Sequence, residues 1–131
     1  VSFVFITHDL ALAKYFAREG RIGVMYTGRM VELGRTPSVI GSPQHPYTSA
    51  LMSAIPEADP VITRSKERIQ LRSDDVPSLT NLPGGCHFHP RCPAWLAGTC
   101  DAKQPLLTEV LPGHEVACHV AVQAANGKVA G

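Results

Sequence analysis

Residues 22–34 read Ile-Gly-Val-Met-Tyr-Thr-Gly-Arg-Met-Val-Glu-Leu-Gly, and this stretch decides the central element of the fold. Two short apolar-rich runs, residues 22–26 and 29–33, flank Thr27 and Gly28. A Thr-Gly pair between two such runs has the composition of a hairpin connection. The stretch therefore predicts two antiparallel strands joined by a tight turn.

The sequence before the hairpin predicts a strand followed by a helix. Residues 1–7 are β-branched and aromatic with almost no polar alternation, which is typical of a central parallel strand covered on both faces. We therefore expect residues 1–7 to be buried. Asp9 stands at the start of a helical pattern that runs to Gly20, so the helix N-cap is a better assignment for Asp9 than a catalytic carboxylate.

Two short helices are predicted after the hairpin. Thr36 and His45 each stand at an N-cap position and are each followed by proline, which suits the first turn of a helix. Gly41 ends the first helix and Pro56 the second. We expect His45 to make a structural contact near its helix N-terminus and not to be a ligand.

The rest of the chain predicts a linker and a cysteine-rich region. Polar residues dominate residues 57–75, which leaves room for at most one strand. Beyond Val76 the sequence is loop-like until residues 116–125, which have the pattern of a closing helix. The predicted organisation is an α/β portion at 1–56, a linker at 57–76, a cysteine-rich domain at 77–125 and a tail at 126–131.

Composition excludes several classes of function. The 12 Lys and Arg residues nearly balance the 11 Asp and Glu residues, and no cluster of like charge occurs, so a dominant nucleic-acid surface is not expected. The longest apolar stretches, residues 3–6 and 116–122, are far shorter than the roughly 20 residues of a membrane-spanning helix. The N-terminus has no start methionine and no secretory signal, so we expect the chain to begin inside a longer protein.

The order of four motifs resembles a known family. Residues 3–10, Phe-Val-Phe-Ile-Thr-His-Asp-Leu, resemble the switch-histidine loop of ABC-type ATPases, and residues 22–34 resemble the hairpin that follows it. Residues 44–48, Gln-His-Pro-Tyr-Thr, resemble the His-Pro-Tyr signature of oligopeptide and dipeptide importer ATPases. With residues 86–93, Cys-His-Phe-His-Pro-Arg-Cys-Pro, the resemblance covers about 120 of the 131 residues.

This resemblance implies a fold and an activity. The fold class would be α/β, the C-terminal part of an ABC ATPase domain followed by a small irregular cysteine-rich domain. The activity would be ATP hydrolysis that powers import of peptides, or of related solutes such as nickel complexes. In such a subunit the residue at the position of His8 contacts the γ-phosphate of ATP and orients the attacking water, so His8 is the candidate catalytic and cofactor-binding residue.

The resemblance also implies cofactors, partners and a location. ATP and Mg²⁺ would be bound by the complete subunit. The partners would be transmembrane permease subunits, a second identical or related ATPase subunit and, indirectly, an extracytoplasmic solute-binding protein. The subunit would lie at the cytoplasmic face of the membrane. The sequence contains no Gly-x-x-x-x-Gly-Lys-Ser/Thr loop, no Leu-Ser-Gly-Gly signature and no strand ending in Asp-Glu, so this chain alone should not hydrolyse ATP.

The four cysteines predict a ligand in the C-terminal region. Cys86, Cys92, Cys100 and Cys118 are separated by five, seven and seventeen residues, a spacing that is not decisive for zinc or for a compact ferredoxin run. The resemblance implies a [4Fe-4S] cluster. Zinc, two disulfides and four unligated thiols remain open. The alternatives for the whole chain are a stand-alone metal or iron-sulfur redox module and a docking module.

Overall fold

The computed structural model describes residues 1–55, 59–65 and 67–130. Five helices and four strands lie in these ranges, and most of them are short. In chain order the elements are α1 (Leu10–Phe16), β1 (Arg21–Tyr26), β2 (Arg29–Arg35), α2 (Thr36–Gly41), α3 (Pro46–Ala54), α4 (Pro60–Ser65), β3 (Thr108–Leu111), β4 (His114–Val116) and α5 (His119–Ala130). In the described ranges no helix has the length and apolar content that crossing a membrane requires.

The predicted hairpin is confirmed. Strands β1 and β2 pair antiparallel, with Tyr26 opposite Arg29 at the turn. Thr27 and Gly28 both have positive φ, 50° and 79°, which is the requirement of a two-residue turn matching the twist of the strands. Residues alternate between exposed and buried along β1, so one face of the hairpin is apolar and faces the core.

The hairpin is half of a four-stranded antiparallel sheet with the order β1-β2-β4-β3. In the pairing of β2 with β4, Glu32 lies opposite Val116 and Leu33 opposite Glu115. The Ala117 N–H extends this contact by donating to the Val31 carbonyl at 2.8 Å. The two C-terminal strands were not predicted, because each has at most four residues and is held by pairing with a distant segment.

The sheet changes the interpretation of the cysteine-rich region. Phe88 and Cys92 are buried in one hydrophobic cluster with side chains of β1, β2 and α2, namely Ile22, Val24, Tyr26, Val31 and Val39. The expected separate, irregular cysteine domain is therefore not shown, since residues from 1–56 and from 77–125 share a sheet and a core. As independently folding units, the ranges 1–56, 57–76, 77–125 and 126–131 stay a prediction.

The prediction of a buried strand at residues 1–7 is wrong. These residues are in no helix or strand, and Phe3 is 88% exposed. A strand needs a neighbour to accept its backbone hydrogen bonds, and none of the described strands pairs with this segment. Its main described side-chain contact is Phe5 against Phe16, with ring centroids 5.1 Å apart.

The helix predictions are confirmed with small corrections. Asp9 caps α1 as expected, because its Oδ1 accepts from the N–H groups of Ala11 and Leu12. Helix α1 stops at Phe16, four residues before the predicted cap. The predicted N-cap role of Thr36 is wrong, because Thr36 is the first residue of α2 and the N-cap position is occupied by Arg35, which makes no side-chain cap hydrogen bond.

The second half of the chain needs larger corrections. The linker contains α4 in place of the one strand that we allowed, while residues 56–58 and 66 lie outside the described ranges. The closing helix begins at His119 and not at Val116, because Val116 belongs to β4.

Candidate functional site

Glu32, in β2, is fully buried. Strand β2 points its side chain toward the N-terminus of α3, where two backbone N–H groups are free to donate. Its Oε1 accepts from the His45 N–H at 2.9 Å, and its Oε2 accepts from the Gln44 N–H at 2.9 Å. The carboxylate thus holds the start of α3 against the sheet, and a buried carboxylate requires partners of this kind.

His114 provides the third contact of the Glu32 carboxylate. His114 Nε2 lies 2.5 Å from Glu32 Oε2, and both side chains are buried. His114 is the first residue of β4, so the contact joins the C-terminal region to β2 across 82 residues of sequence. Together, Glu32, the Gln44 and His45 amides and His114 form what we term the carboxylate junction.

His45 performs two structural tasks, which confirms its predicted role. Its Nδ1 accepts from the Tyr47 N–H at 3.0 Å and so caps α3. Burial lowers the pKa of His45 to about 4, so the ring is neutral at pH 7. Its ring also packs on Phe88, with centroids 5.6 Å apart.

Phe88 lies in the loop of residues 86–93, which we term the cysteine loop, and is where this loop meets the His-Pro-Tyr motif. The rings of Tyr26 and Tyr47 lie 5.2 and 5.4 Å from the Phe88 ring, and Phe88 itself is 1% exposed. Such tilted and edge-on aromatic pairs stabilise beyond the area that they bury. The motif is therefore a docking element between α3, the hairpin and the loop.

The four cysteines lie near this junction as free thiols. Cys92, Cys100 and Cys118 are buried and Cys86 is partly exposed. The Cys86 N–H donates to the Cys100 carbonyl at 2.7 Å, and Gly85, at φ +69°, allows this approach because a Cβ there would lie 2.3 Å from the same carbonyl oxygen. Burial raises the pKa of Cys92 to about 11 and also raises the pKa of Cys86 and of Cys118.

Backbone N–H groups donate to all four cysteine sulfurs. Donors of this kind stabilise thiolates in metal and cluster sites. The donors are Phe88 and His89 for Cys86, Ala94 for Cys92, Leu96 for Cys100, and Val120 and Ala121 for Cys118. However, among the residues that the structure describes, no three His, Cys, Asp or Glu side chains are arranged to hold a metal ion. The donor chemistry fits a thiolate ligand, whereas the expected zinc or iron-sulfur site receives no support from the arrangement.

Three histidines of the C-terminal region make hydrogen bonds. His89 Nδ1 lies 2.8 Å from the Cys86 carbonyl oxygen, and His87 Nδ1 lies 2.8 Å from Thr27 Oγ1. His119 Nε2 lies 2.8 Å from the Lys103 carbonyl oxygen. The first two contacts connect the cysteine loop to itself and to the hairpin turn, and the third connects the start of α5 to Lys103.

His8 lies apart from the carboxylate junction. It is exposed on a bend between the unpaired residues 1–7 and the N-cap Asp9. Within the described ranges its side chain makes no hydrogen bond or ion pair. The structure therefore leaves the His8 side chain exposed, and no described contact joins it to any of the four cysteines.

Comparison with known proteins identifies the family. A family model described as oligopeptide/dipeptide transporter, C-terminal region, matches residues 31–100, more than half of the 131 residues. The chain belongs to this family. The family model begins one residue before Glu32 and ends at Cys100, so it covers the junction except for His114 and covers every cysteine except Cys118.

Individual relatives extend the similarity to most of the chain. The protein named "Putative oligopeptide transport ATP-binding protein YkfD" of Bacillus subtilis is 43% identical over 120 residues, which are 92% of this chain and 35% of that protein. The dipeptide transport ATP-binding protein DppF of Haemophilus influenzae is 44% identical over 119 residues, which are 90% of this chain and 34% of that protein. The chain spans about a third of the length of the curated relatives that it matches.

Sequence reasoning missed two residues of the oligopeptide/dipeptide transporter C-terminal region. Glu32 is part of the hairpin motif, but the motif indicates no role for it, because a glutamate in a short strand is usually solvated. Its position between Val31 and Leu33 in an apolar strand was the available signal. His114 carried no local signal, since its role depends on a partner 82 residues away.

Proposed function

We propose that this chain is part of the ATP-hydrolysing subunit of an ABC transporter that imports peptides. The observation that carries this proposal is the similarity to relatives named as oligopeptide and dipeptide transport ATP-binding proteins over 90% or more of the chain. The carboxylate junction adds support, because residues of the His-Pro-Tyr motif build it. The comparisons give no support to a stand-alone redox or docking module.

In this proposal His8 acts on the terminal phosphate of ATP. Phosphoryl transfer depends on positioning and on stabilisation of charge, and an exposed imidazole with no internal partner is available for both. His8 would contact the γ-phosphate and orient the attacking water. ATP and Mg²⁺ would be held chiefly by segments of the complete subunit that this sequence does not contain, since it has no phosphate-binding loop.

The partners follow from the same proposal. ATP hydrolysis would drive transmembrane permease subunits. A second ATPase subunit, identical or related, would complete the nucleotide sites. An extracytoplasmic solute-binding protein would act indirectly through the permease. The subunit would lie peripherally at the cytoplasmic face of the membrane, with no nucleic acid among its partners.

The catalytic proposal is tested by His8→Ala in the complete subunit with its partners present. Nucleotide affinity should stay within about twofold, and turnover should fall roughly tenfold or more, because the group acts mainly on the transition state. His87→Ala is the matched control, since His87 is a histidine of the cysteine loop bonded to the hairpin turn. Equal turnover in the parent and the His8→Ala subunit would refute the role of His8.

We further propose that Cys86, Cys92, Cys100 and Cys118 bind an iron-sulfur cluster of the [4Fe-4S] type. The support is the set of four thiols in one region, each with a backbone N–H directed to its sulfur. When bound, the cluster would supply covalent cross-links between the cysteine loop and the start of α5. The backbone donors of this chain would lower the cost of holding four thiolates in a buried region.

Anaerobic purification of the full chain tests the cluster directly. Iron and sulfide analysis and visible absorption should show about four iron and four sulfide per chain, as the [4Fe-4S] type requires. Each Cys→Ser variant should lose most of this iron. Colourless anaerobic protein that carries zinc would refute the cluster and favour a structural zinc site.

A further inference from the structure

Residues 69–73 connect the end of α3 to the cysteine loop, and we term them the strap. None of them lies in a helix or a strand. At one end the Ile69 N–H donates to Ser53 Oγ, in α3, at 3.2 Å. Because the strap takes part in no helix or sheet, its position depends on contacts of this kind.

Arg72 fastens the strap to the cysteine loop by three contacts. Its backbone N–H donates to the Arg91 carbonyl at 3.0 Å, and its Nη1 donates to the His89 carbonyl at 3.2 Å. Its guanidinium lies over the Trp95 ring, with Cζ 4.4 Å from the ring centroid. Arginine suits this position, since a planar guanidinium can stack on an aromatic ring while its N–H groups donate in the plane.

Arg91 adds a contact from the side of the loop. Its Nε donates to the Ser73 carbonyl at 3.2 Å, so strap and loop are hydrogen-bonded in both directions. These hydrogen bonds fall on residues 89–91, which lie between Cys86 and Cys92. The strap therefore holds the part of the loop that separates two of the four thiols.

The strap lies beside one buried thiol and not beside another. Cys92 is buried in the hydrophobic cluster of the hairpin, and Leu71 of the strap packs against that cluster together with Trp95. Cys118 is buried in a second cluster with side chains of β4 and α5, and among the described residues this cluster contains none from the strap. Opening of the strap would therefore uncover Cys92 and leave Cys118 covered.

We propose that the strap is a gate over the cysteine site, and that Arg72 holds it closed and so positions Cys86 and Cys92. A surface cation–π contact and a few hydrogen bonds are individually weak, so the strap can open while the core stays folded. Opening would give metal ions and thiol reagents access to Cys92. The role of the gate rests on the proposed iron-sulfur site, whereas the movement itself does not.

Thiol labelling of the metal-free full chain tests the movement. The reagent is N-ethylmaleimide, and fragmentation mass spectrometry gives a labelling rate for each cysteine. Arg72→Gln should raise the rate at Cys92 about tenfold, because the closed state loses the cation–π contact and a hydrogen bond from a charged donor. The rate at Cys118 should change less than about twofold. An unchanged rate at Cys92, or an equal increase at both thiols, would overturn the gate.

The matched control is Arg68→Gln, since Arg68 is an exposed arginine just before the strap. It should change neither rate by more than about twofold. Arg72→Lys should fall between Arg72→Gln and the parent, because lysine keeps the charge but loses the stacking plane. Equal acceleration in Arg68→Gln and Arg72→Gln would overturn the assignment to Arg72.

The parent chain provides a test that needs no variant. Below the unfolding transition, added urea should accelerate labelling of Cys118 more steeply than labelling of Cys92, because a local opening exposes less surface than global unfolding. Equal urea dependence of the two rates would mean that Cys92 is reached only by global unfolding, which contradicts a gate.

Iron release separates the gate from the cluster. In anaerobically purified protein that contains iron, Arg72→Gln should lose it to a chelator about tenfold faster than Arg68→Gln, by the same weakened closure. Equal release from the two variants would overturn the gating of the cluster while the cluster stands. Iron-free protein whose Cys92 labelling follows the predicted pattern would support the gate and count against the cluster.

Discussion

Two phenylalanines from different parts of the molecule differ strongly in burial. Phe3 lies in the unpaired N-terminal segment and is 88% exposed, while Phe88 lies in the cysteine loop and is 1% exposed. The sequence around Phe3 is the more apolar of the two, yet Phe88 is the one that is buried. The difference shows that apolar content does not decide burial. The hairpin and α3 give Phe88 a surface to pack on, and no described strand does this for residues 1–7.

Two carboxylates show the same contrast between an exposed and a buried side chain. Asp9 and Glu32 each accept from two backbone N–H groups at a helix start. Asp9 does so in solvent, whereas Glu32 does so at full burial and with His114 as a third partner. A buried donor that loses its acceptor cannot bond to water instead. Replacing Glu32 should therefore lower the free energy of unfolding far more than replacing Asp9.

The largest effect should follow removal of the Phe88 ring. Phe88→Ala should lower the free energy of unfolding by about 3–5 kcal/mol, because it leaves a cavity under three aromatic rings. The matched Phe3→Ala should change it by less than about 0.5 kcal/mol. Urea unfolding followed by circular dichroism measures both. Similar losses in the two variants would mean that residues 1–7 are packed after all.

Glu32→Ala should give the next largest loss, about 3 kcal/mol. It leaves the Gln44 and His45 amides and His114 Nε2 buried without an acceptor. The control is Glu19→Ala, an exposed glutamate of the N-terminal region, which should change stability by less than about 0.5 kcal/mol. A loss below about 1 kcal/mol for Glu32→Ala would show that water enters the junction and replaces the carboxylate.

Acid should weaken the junction through His45. The pKa of His45 falls from 6.5 to about 4 on folding, so between these values the unfolded chain binds a proton that the folded chain does not. The contribution of the neutral His45 ring to the free energy of unfolding is therefore fully present above pH 6.5 and is lost as pH falls toward 4. About 2 kcal/mol of it is lost at pH 5 relative to pH 7.

Comparison with His45→Asn isolates this proton. Asparagine keeps an N-cap acceptor but does not titrate, so its loss between pH 7 and pH 5 should be smaller than that of the parent by about 2 kcal/mol. NMR titration of the His45 ring gives the folded pKa directly. A measured pKa near 6.5 would contradict the burial of a neutral ring.

The smallest effect should come from the Asp9 cap. Asp9→Ala removes two exposed hydrogen bonds and should destabilise helix α1 by about 1 kcal/mol. Since α1 contributes no buried residue, global unfolding should stay within about 0.5 kcal/mol of the parent. Amide exchange of Ala13, whose N–H donates to the Asp9 carbonyl, reports the local loss.

The elements that could be predicted from sequence are those that local chemistry determines. Thr27 and Gly28 adopt the positive φ angles of a tight hairpin turn, and Asp9 and His45 cap their helices with their own side chains. The family resemblance, carried by short motifs, was also sound.

The rest could not be predicted because it depends on distant partners. Strand β4 has three residues and forms by pairing with β2. His114 is buried because its ring pairs with the Glu32 carboxylate. Residues 1–7 have the pattern of a covered strand, but the pattern does not name the neighbour that would cover it. Roles for His8 and for the four cysteines as ligands stay predictions for the same reason.

Native-state hydrogen exchange tests most directly whether the junction joins the cysteine-bearing region to the hairpin as one unit. The deciding amides are those of Gln44 and His45, which donate to Glu32, and that of Ala117, which donates to Val31 across the sheet. One cooperative unit predicts opening free energies for the three that agree within about 1 kcal/mol, while residues 3–6 exchange without protection. Contradiction would come from an Ala117 amide that opens several kcal/mol more easily than the amides of Gln44 and His45, because the C-terminal region would then unfold by itself.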